Sequence, residues 1–177
     1  MTVLAKVEWR ASESDPKPDV SFVPPMERRR LTGVERAALS VAFRALEQYK
    51  QSLPPDQVTE ENLQIPVVFA SRWGEIGTTI KLMQQMHAEG EMSPAGFSNS
   101  VHNATPGHFS LITKNKAPYT AIAAGPDSYE MGLLEASTYP GKVLFVYAEE
   151  STPEFYESHF VSPLSAQATA ILMDNAD

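Results

Sequence analysis

The chain is 177 residues long, with 42% hydrophobic and 20% charged residues, a net charge of −8, a pI near 5.0 and no cysteine. That length suits one ordinary domain able to bury a core without disulfides. The acidic balance argues against nucleic acid, since little would neutralise a run of phosphates. The lack of cysteine excludes a disulfide framework, a thiolate metal site and a cysteine nucleophile. The charge is unevenly spread: residues 1–50 carry nine Lys and Arg against seven Asp and Glu, and the rest carry five against fifteen. The first fifteen residues hold Lys6, Glu8, Arg10, Glu13 and Asp15 and no apolar centre, so no secretory signal is expected. No apolar run is long enough to span a membrane. Cytoplasm is the expected compartment.

In chain order, residues 2–10 alternate weakly and predict an edge strand. Residues 11–27 hold Pro16, Pro18, Pro24 and Pro25 and read as an extended arm, so that residues 1–27 form a strand plus a Pro-rich arm. Thr32 and Glu35 have capping-box spacing, and Val34, Ala37, Ala38, Val41, Ala45 and Tyr49 then recur at helical intervals. Ile65–Ala70 is a short β-branched run that predicts a buried strand. A turn at Ser71–Gly74 leads into a second helix, expected to bury Ile76, Ile80, Met83 and His87 and to end at Gly90. Ser93-Pro94 opens a short helix bearing Phe97 and Val101. Phe109–Ile112 and Tyr119–Ala123 read as strands about a Lys-Asn-Lys turn. Gly125-Pro126-Asp127 leads into a helix bearing Met131, Leu133 and Leu134. Val143–Ala148 and Ala168–Met173 close the chain as strands, with an acidic, aromatic loop over 149–160. The order predicts one layered α/β domain over residues 1–177, its core containing Val41, Val67, Phe69, Ile80, Ile112, Ile122, Leu134, Leu144, Val146 and Ile171.

Side chains with chemistry are few. His87, His102, His108 and His159 lack metal-ligand spacing, so no metal is expected. Gly74 and Gly77 enter a helix, but a lone G-x-x-G is too weak for a nucleotide site and reads as close packing. No cofactor motif is present. Arg28, Arg29 and Arg30 adjoin a helix start and read as a solvated arm or as a contact for an acidic or phosphorylated partner. His102 with Ser100 or Ser128 could be drawn as the core of a hydrolase, yet the G-x-S-x-G elbow is missing.

Four segments change this picture: PMERRRLTGVERAALSVA at 25–42, VFASRWGEIGTT at 68–79, SPAGFSNSVHNATPGHFSL at 93–111 and YTAIAAGPDSYEMGLLEA at 119–136. In that order they resemble the short beta-ketoacyl synthase-like proteins, often called chain-length-factor-like, of aryl polyene and related polyketide or fatty acid pathways. The resemblance implies a half-thiolase-like α/β fold with a mixed sheet packed by helices. It also puts the nucleophile position of a ketosynthase at about Pro126, where Gly125, Pro126 and Asp127 cannot form a thioester and Ser128 is the nearest hydroxyl. Proline there offers no amide hydrogen, and Asp127 is expected to cap the helix with its side chain. The histidines of a condensing site belong to the second half of the thiolase fold, outside these residues. The expectation is therefore a non-catalytic partner of a beta-ketoacyl synthase, with an acyl carrier protein as a second partner. It would be a dimer with itself or with the synthase, seamed through residues 93–123 with Phe97, Val101, Phe109 and Leu111 as apolar contacts. His102 and Asn103 would orient a loop or the seam, and the Arg triplet would meet the carrier.

Overall fold

The computed structural model describes residues 1–157 and 165–176. The chain runs β1 (Thr2–Arg10), α1 (Pro25–Arg28), α2 (Gly33–Ser52), β2 (Val67–Ala70), α3 (Ile76–Glu89), α4 (Pro94–Ser98), α5 (Ala104–Thr113), β3 (Tyr119–Ile122), α6 (Ser128–Ser137), β4 (Lys142–Glu149), α7 (Glu154–Glu157) and β5 (Gln167–Asp174). The five strands form one sheet in the order β1-β5-β4-β2-β3. β1 and β4 run antiparallel to β5, whereas β2 runs parallel to both β4 and β3. The sheet is mixed, as expected, and β1 is its edge on one side.

α2 begins where the sequence signals it. The Thr32 side chain accepts from the Glu35 amide, and the Glu35 carboxylate accepts from the Thr32 amide. Its buried face comprises Val34, Ala37, Ala38, Val41, Ala45 and Tyr49, all expected, and extends over Leu39, Ala42 and Leu46. This helix covers one face of the sheet together with Val67 and Phe69 of β2 and Leu144 and Val146 of β4. β1 alternates as a half-buried edge should, with Ala5, Val7 and Trp9 inward and Lys6 and Glu8 exposed. The arm between β1 and α2 is pinned rather than loose. Val20 and Val23 are buried, Phe22 stacks on Phe43 at 3.9 Å, and Arg28 donates to the carbonyls of Ser21 and Val23.

α6 covers the other face, against Val68, Ala70, Val143 and Phe145. It meets the sheet through Ser128, Gly132 and Ala136, one small residue per turn. Its backbone consequently lies close to the strands, and the large side chains Met131 and Leu134 turn outward. Leu134, expected in the core, is 58% exposed for this reason.

Further expectations change. Phe109–Ile112 is not a strand but part of α5. Thr105, Pro106 and Phe109 recur at helical spacing and bury that helix against α2 and β2. Phe109 is 4% exposed and lies in the core rather than on a surface seam, while Leu111, two residues on, is 77% exposed. α3 buries Leu82 rather than Ile76, Ile80, Met83 and His87, because it packs on α4 and not on the sheet. Ile80, Ile112 and Ile122 are half-buried, whereas Val41, Val67, Phe69, Leu144, Val146 and Ile171 are core residues as expected. β4 extends to Glu149 and α7 follows, so part of the expected loop is regular. His159 lies outside the described residues.

Candidate functional site

β2, β3 and β4 are mutually parallel, and their ends are in register, with Ala70 paired to both Ile122 and Tyr147. The loops leaving these strands therefore gather at one end of the sheet, the end where open α/β sheets build sites. The turn after β3 is the first component. Gly125 has φ +59, residues Gly125–Asp127 make one 3₁₀ turn, and Pro126 and Asp127 are exposed. The expected capping by Asp127 does not occur: its side chain makes no cap hydrogen bond. Ser128 stabilises the turn instead. Its hydroxyl donates to the Gly125 carbonyl at 2.7 Å and accepts from the Ala124 amide at 2.9 Å. Buried and bonded in both roles, Ser128 is not presented as a nucleophile. Ser100, the other serine considered, donates to the Phe97 carbonyl at 2.8 Å.

The second component is the turn after β2. His102 reaches it from the α4–α5 connection, with Nε2 3.0 Å from the Ser71 carbonyl oxygen. A carbonyl only accepts, so Nε2 carries the proton. The ring also packs against Phe69 at 5.5 Å and lies over Gly74, whose φ of +52 and missing Cβ permit the approach. His102 Nε2 thus meets a backbone carbonyl and not a serine hydroxyl. Asn103 stands exposed at the start of α5 without a side-chain cap bond.

Around these turns lies a set of buried and half-buried carboxylates, of which the sequence marks only Glu35, and that as a helix cap. Glu149, at the end of β4, accepts from Ser71 Oγ at 3.1 Å and from the Arg72 amide. Burial pushes its proton affinity up. Glu150 accepts from the Gly77 amide at 2.7 Å at the start of α3 and is likewise raised by burial. Glu75 accepts from Thr32 Oγ1 at 2.9 Å and faces Thr78 and Thr105. Burial, followed by the charge of Glu35, pushes Glu75 up to about 8. Glu35, fully buried in its capping box, bonds His108 Nδ1 at 2.6 Å. That bond raises the His108 pKa against the opposing effect of burial. These contacts fasten the starts of α2, α3 and α5 to one another. The signals were faint: two adjacent glutamates closing an apolar strand, and a glutamate one residue before a helix. Among the described residues, no group of three His, Asp or Glu could hold a metal ion. The structure brings together His102, Ser71 and Gly74. Of the Arg triplet, Arg28 is tied to the arm and Arg29 and Arg30 are exposed.

The profile of the beta-ketoacyl synthase N-terminal domain matches residues 4–177. The chain belongs to the beta-ketoacyl synthase family. Several solved structures are similar to this beta-ketoacyl synthase domain. It is similar to a chain in the complex of a ketosynthase, ApeO, with its chain length factor, ApeC, from Xenorhabdus doucetiae. The two are 28% identical with a TM-score of 0.73, over 87% of this chain and 62% of that one. The ishigamide ketosynthase/chain length factor matches at 13% identity and a TM-score of 0.70, over 97% of this chain and 61% of that one. A beta-ketoacyl synthase from Burkholderia phymatum STM815 matches at 14% and 0.67, over 96% and 52%. At such identities the last two establish the fold, which is thiolase-like. The domain spans between about half and three-fifths of the length of these chains. No curated protein matches it.

Proposed function

We propose that this beta-ketoacyl synthase domain, acting over residues 1–177 as one unit, is a non-catalytic, chain-length-factor-like partner of an active ketosynthase. It would serve in making a polyketide, an aryl polyene or a fatty acyl chain. One observation carries the reading: the turn after β3 of a ketosynthase-type scaffold holds Gly125, Pro126 and Asp127, and its buried Ser128 hydroxyl is spent within the turn. Such a domain contributes surface rather than a covalent intermediate. The pairing of ApeO with its chain length factor supports a ketosynthase as the class of partner.

The pairing surface follows from strand geometry. The carbonyls of Pro118 and Ile122 accept from β2 amides, so the alternate residues Tyr119 and Ala121 direct their backbone groups away from the sheet. Among the described residues no further strand pairs beyond β3, and an open edge of this kind can recruit another chain. Phe97, Val101 and Leu111, from the segment just before β3, and Tyr119 within it, are exposed apolar side chains. The seam runs through them without Phe109, with His102 and Asn103 orienting the loop beneath. Arg29 and Arg30, free of the bonds that occupy Arg28, would meet an acidic acyl carrier protein in a weak, salt-sensitive contact.

The tagged chain, recovered from its native host and sedimented alone and with the co-purified ketosynthase, should form a one-to-one complex. Ala121→Pro removes an outward amide without touching the β2 ladder, and should weaken that complex about tenfold or more. A homodimer that ignores the ketosynthase would favour a stand-alone oligomer. A monomer under both conditions would remove the seam.

A further inference from the structure

A groove of about 840 Å³ lies on the outer side of α5, walled by the residues before α2 and by the α4–α5 pair. That volume is typical of small-molecule sites. Three polar groups facing it have donors to spare. Arg30 uses only its backbone amide, bonded to the Glu27 carbonyl. His108 spends Nδ1 on Glu35, which leaves Nε2 without a partner among the described residues. Asn99 likewise bonds through its backbone amide alone. Leu31, Leu111 and Ile112 supply apolar wall beside them, and Glu27 is the one carboxylate in the lining. In a chain of net charge −8, Arg30 and His108 with Glu27 and the Glu35 bonded to His108 bring this groove to a balance of charge, with the donors of Arg30 and His108 turned to its open side.

We propose that this groove binds a small amphipathic anion, its carboxylate or phosphate head on Arg30, His108 Nε2 and the Asn99 amide and a short apolar tail along Leu31, Leu111 and Ile112. Glu35 acts through His108: fully buried, it fixes the ring by Nδ1 and favours the charged imidazole, the form in which Nε2 donates. Four charged groups bear on this imidazole, Glu35, Glu75 and Glu27 with Arg30 across the groove. As pH rises, His108 loses its proton and Glu75, near pH 8, gains a negative charge behind it, so both changes weaken anion binding. The groove shares Leu111 with the proposed seam, so a ketosynthase paired there would cover part of its apolar wall, and the unpaired chain is the form that binds the anion.

Calorimetric titration of the whole chain with octanoate, octyl phosphate and uncharged octanol tests this. Both anions should bind, octanol about tenfold more weakly or not at all, and affinity should be lower at pH 8.5 than at pH 6.5. The preferred head distinguishes a carboxylate ligand from a phosphate ester. Arg30→Gln, at an exposed position that leaves the fold alone, should cost about fivefold or more in affinity for the anions and nothing for octanol. His108→Gln should reduce the pH dependence to the part that Glu75 contributes, and Lys116→Gln, which lies in a groove between residues 60–64 and 113–117, should change nothing. Equal binding of octanol and octanoate, anion affinity unchanged in Arg30→Gln, or no anion binding at millimolar concentration would each overturn the proposal.

Discussion

Glu75 sits 3% exposed among three threonine hydroxyls, close enough to Glu35 and Glu150 for their charges to oppose its ionisation. An unfolded glutamate gives up its proton near 4.5, and folded Glu75 does so at about 8. Between those values the folded chain holds a proton that the unfolded chain has released. This contribution to stability is complete below about pH 4.5 and drains away as the pH rises towards 8. His108, Glu149 and Glu150 are also raised and slope the same way. The urea midpoint of the native chain should therefore fall between pH 5 and 8.5. Glu75→Gln keeps an acceptor for Thr32 and has no proton to lose, so it should flatten that fall by an amount on the order of 1–3 kcal/mol. Equal pH slopes in the two proteins would contradict the burial of an ionisable group here.

At the scale of elements, α6 shows how a helix with large apolar residues can pack through its small ones. A Cβ added at Gly132 would lie 2.5 Å from the Ala70 Cβ and 2.7 Å from the Phe145 ring. Elsewhere in a helix Gly→Ala gains about 1 kcal/mol of propensity. Here the clash is with a sheet side chain and a fully buried ring that have no room to give, and overpacking costs roughly 1–3 kcal/mol or more. Gly132→Ala should therefore lower stability in chemical denaturation; a gain would mean that α6 stands further from β2 and β4. The same packing explains why Leu134 was misjudged: helical periodicity marks its face as apolar but does not say which stripe touches the sheet. α5 was missed for a related reason. Its apolar stretch is short enough to suit either a strand or a helix, and only its contact with α2 decides between them.

For the whole molecule, the difference between Phe109 and Leu111 separates the stability of the fold from association. Phe109 is part of the main core, so Phe109→Asp buries an unpaired charge and should unfold the chain by several kcal/mol. Leu111→Asp changes an exposed position and should leave the melting curve nearly unchanged while weakening the complex at the β3 edge. Circular dichroism melts paired with sedimentation check both variants. A folded Phe109→Asp chain would contradict the core assignment, and full association by Leu111→Asp would remove α5 from the seam. Two surfaces that meet at Leu111 thus leave the folded domain: an apolar region with an open strand edge around β3, and a small groove on the outer side of α5 lined by Arg30 and His108.

Much of this protein is local and could be read from residues alone. The Thr32–Glu35 box, the buried face of α2, the Ser93 cap and the β2 and β4 strands are properties of neighbours in sequence, and each is found where its pattern places it. What the sequence left undecided are relations between distant segments. Glu35 meets His108 across 73 residues, Glu149 meets Ser71 across 78, and His102 meets the Ser71 carbonyl across 31. Periodicity has no term for such partners. A glutamate in a strand-ending pair looks like a solvated charge until the fold closes over it. Folding removes the water and supplies in its place the amides of the β2–α3 turn, hydroxyls and an imidazole, and that exchange turns charged residues at the carboxyl ends of β2 and β4 into buried fasteners.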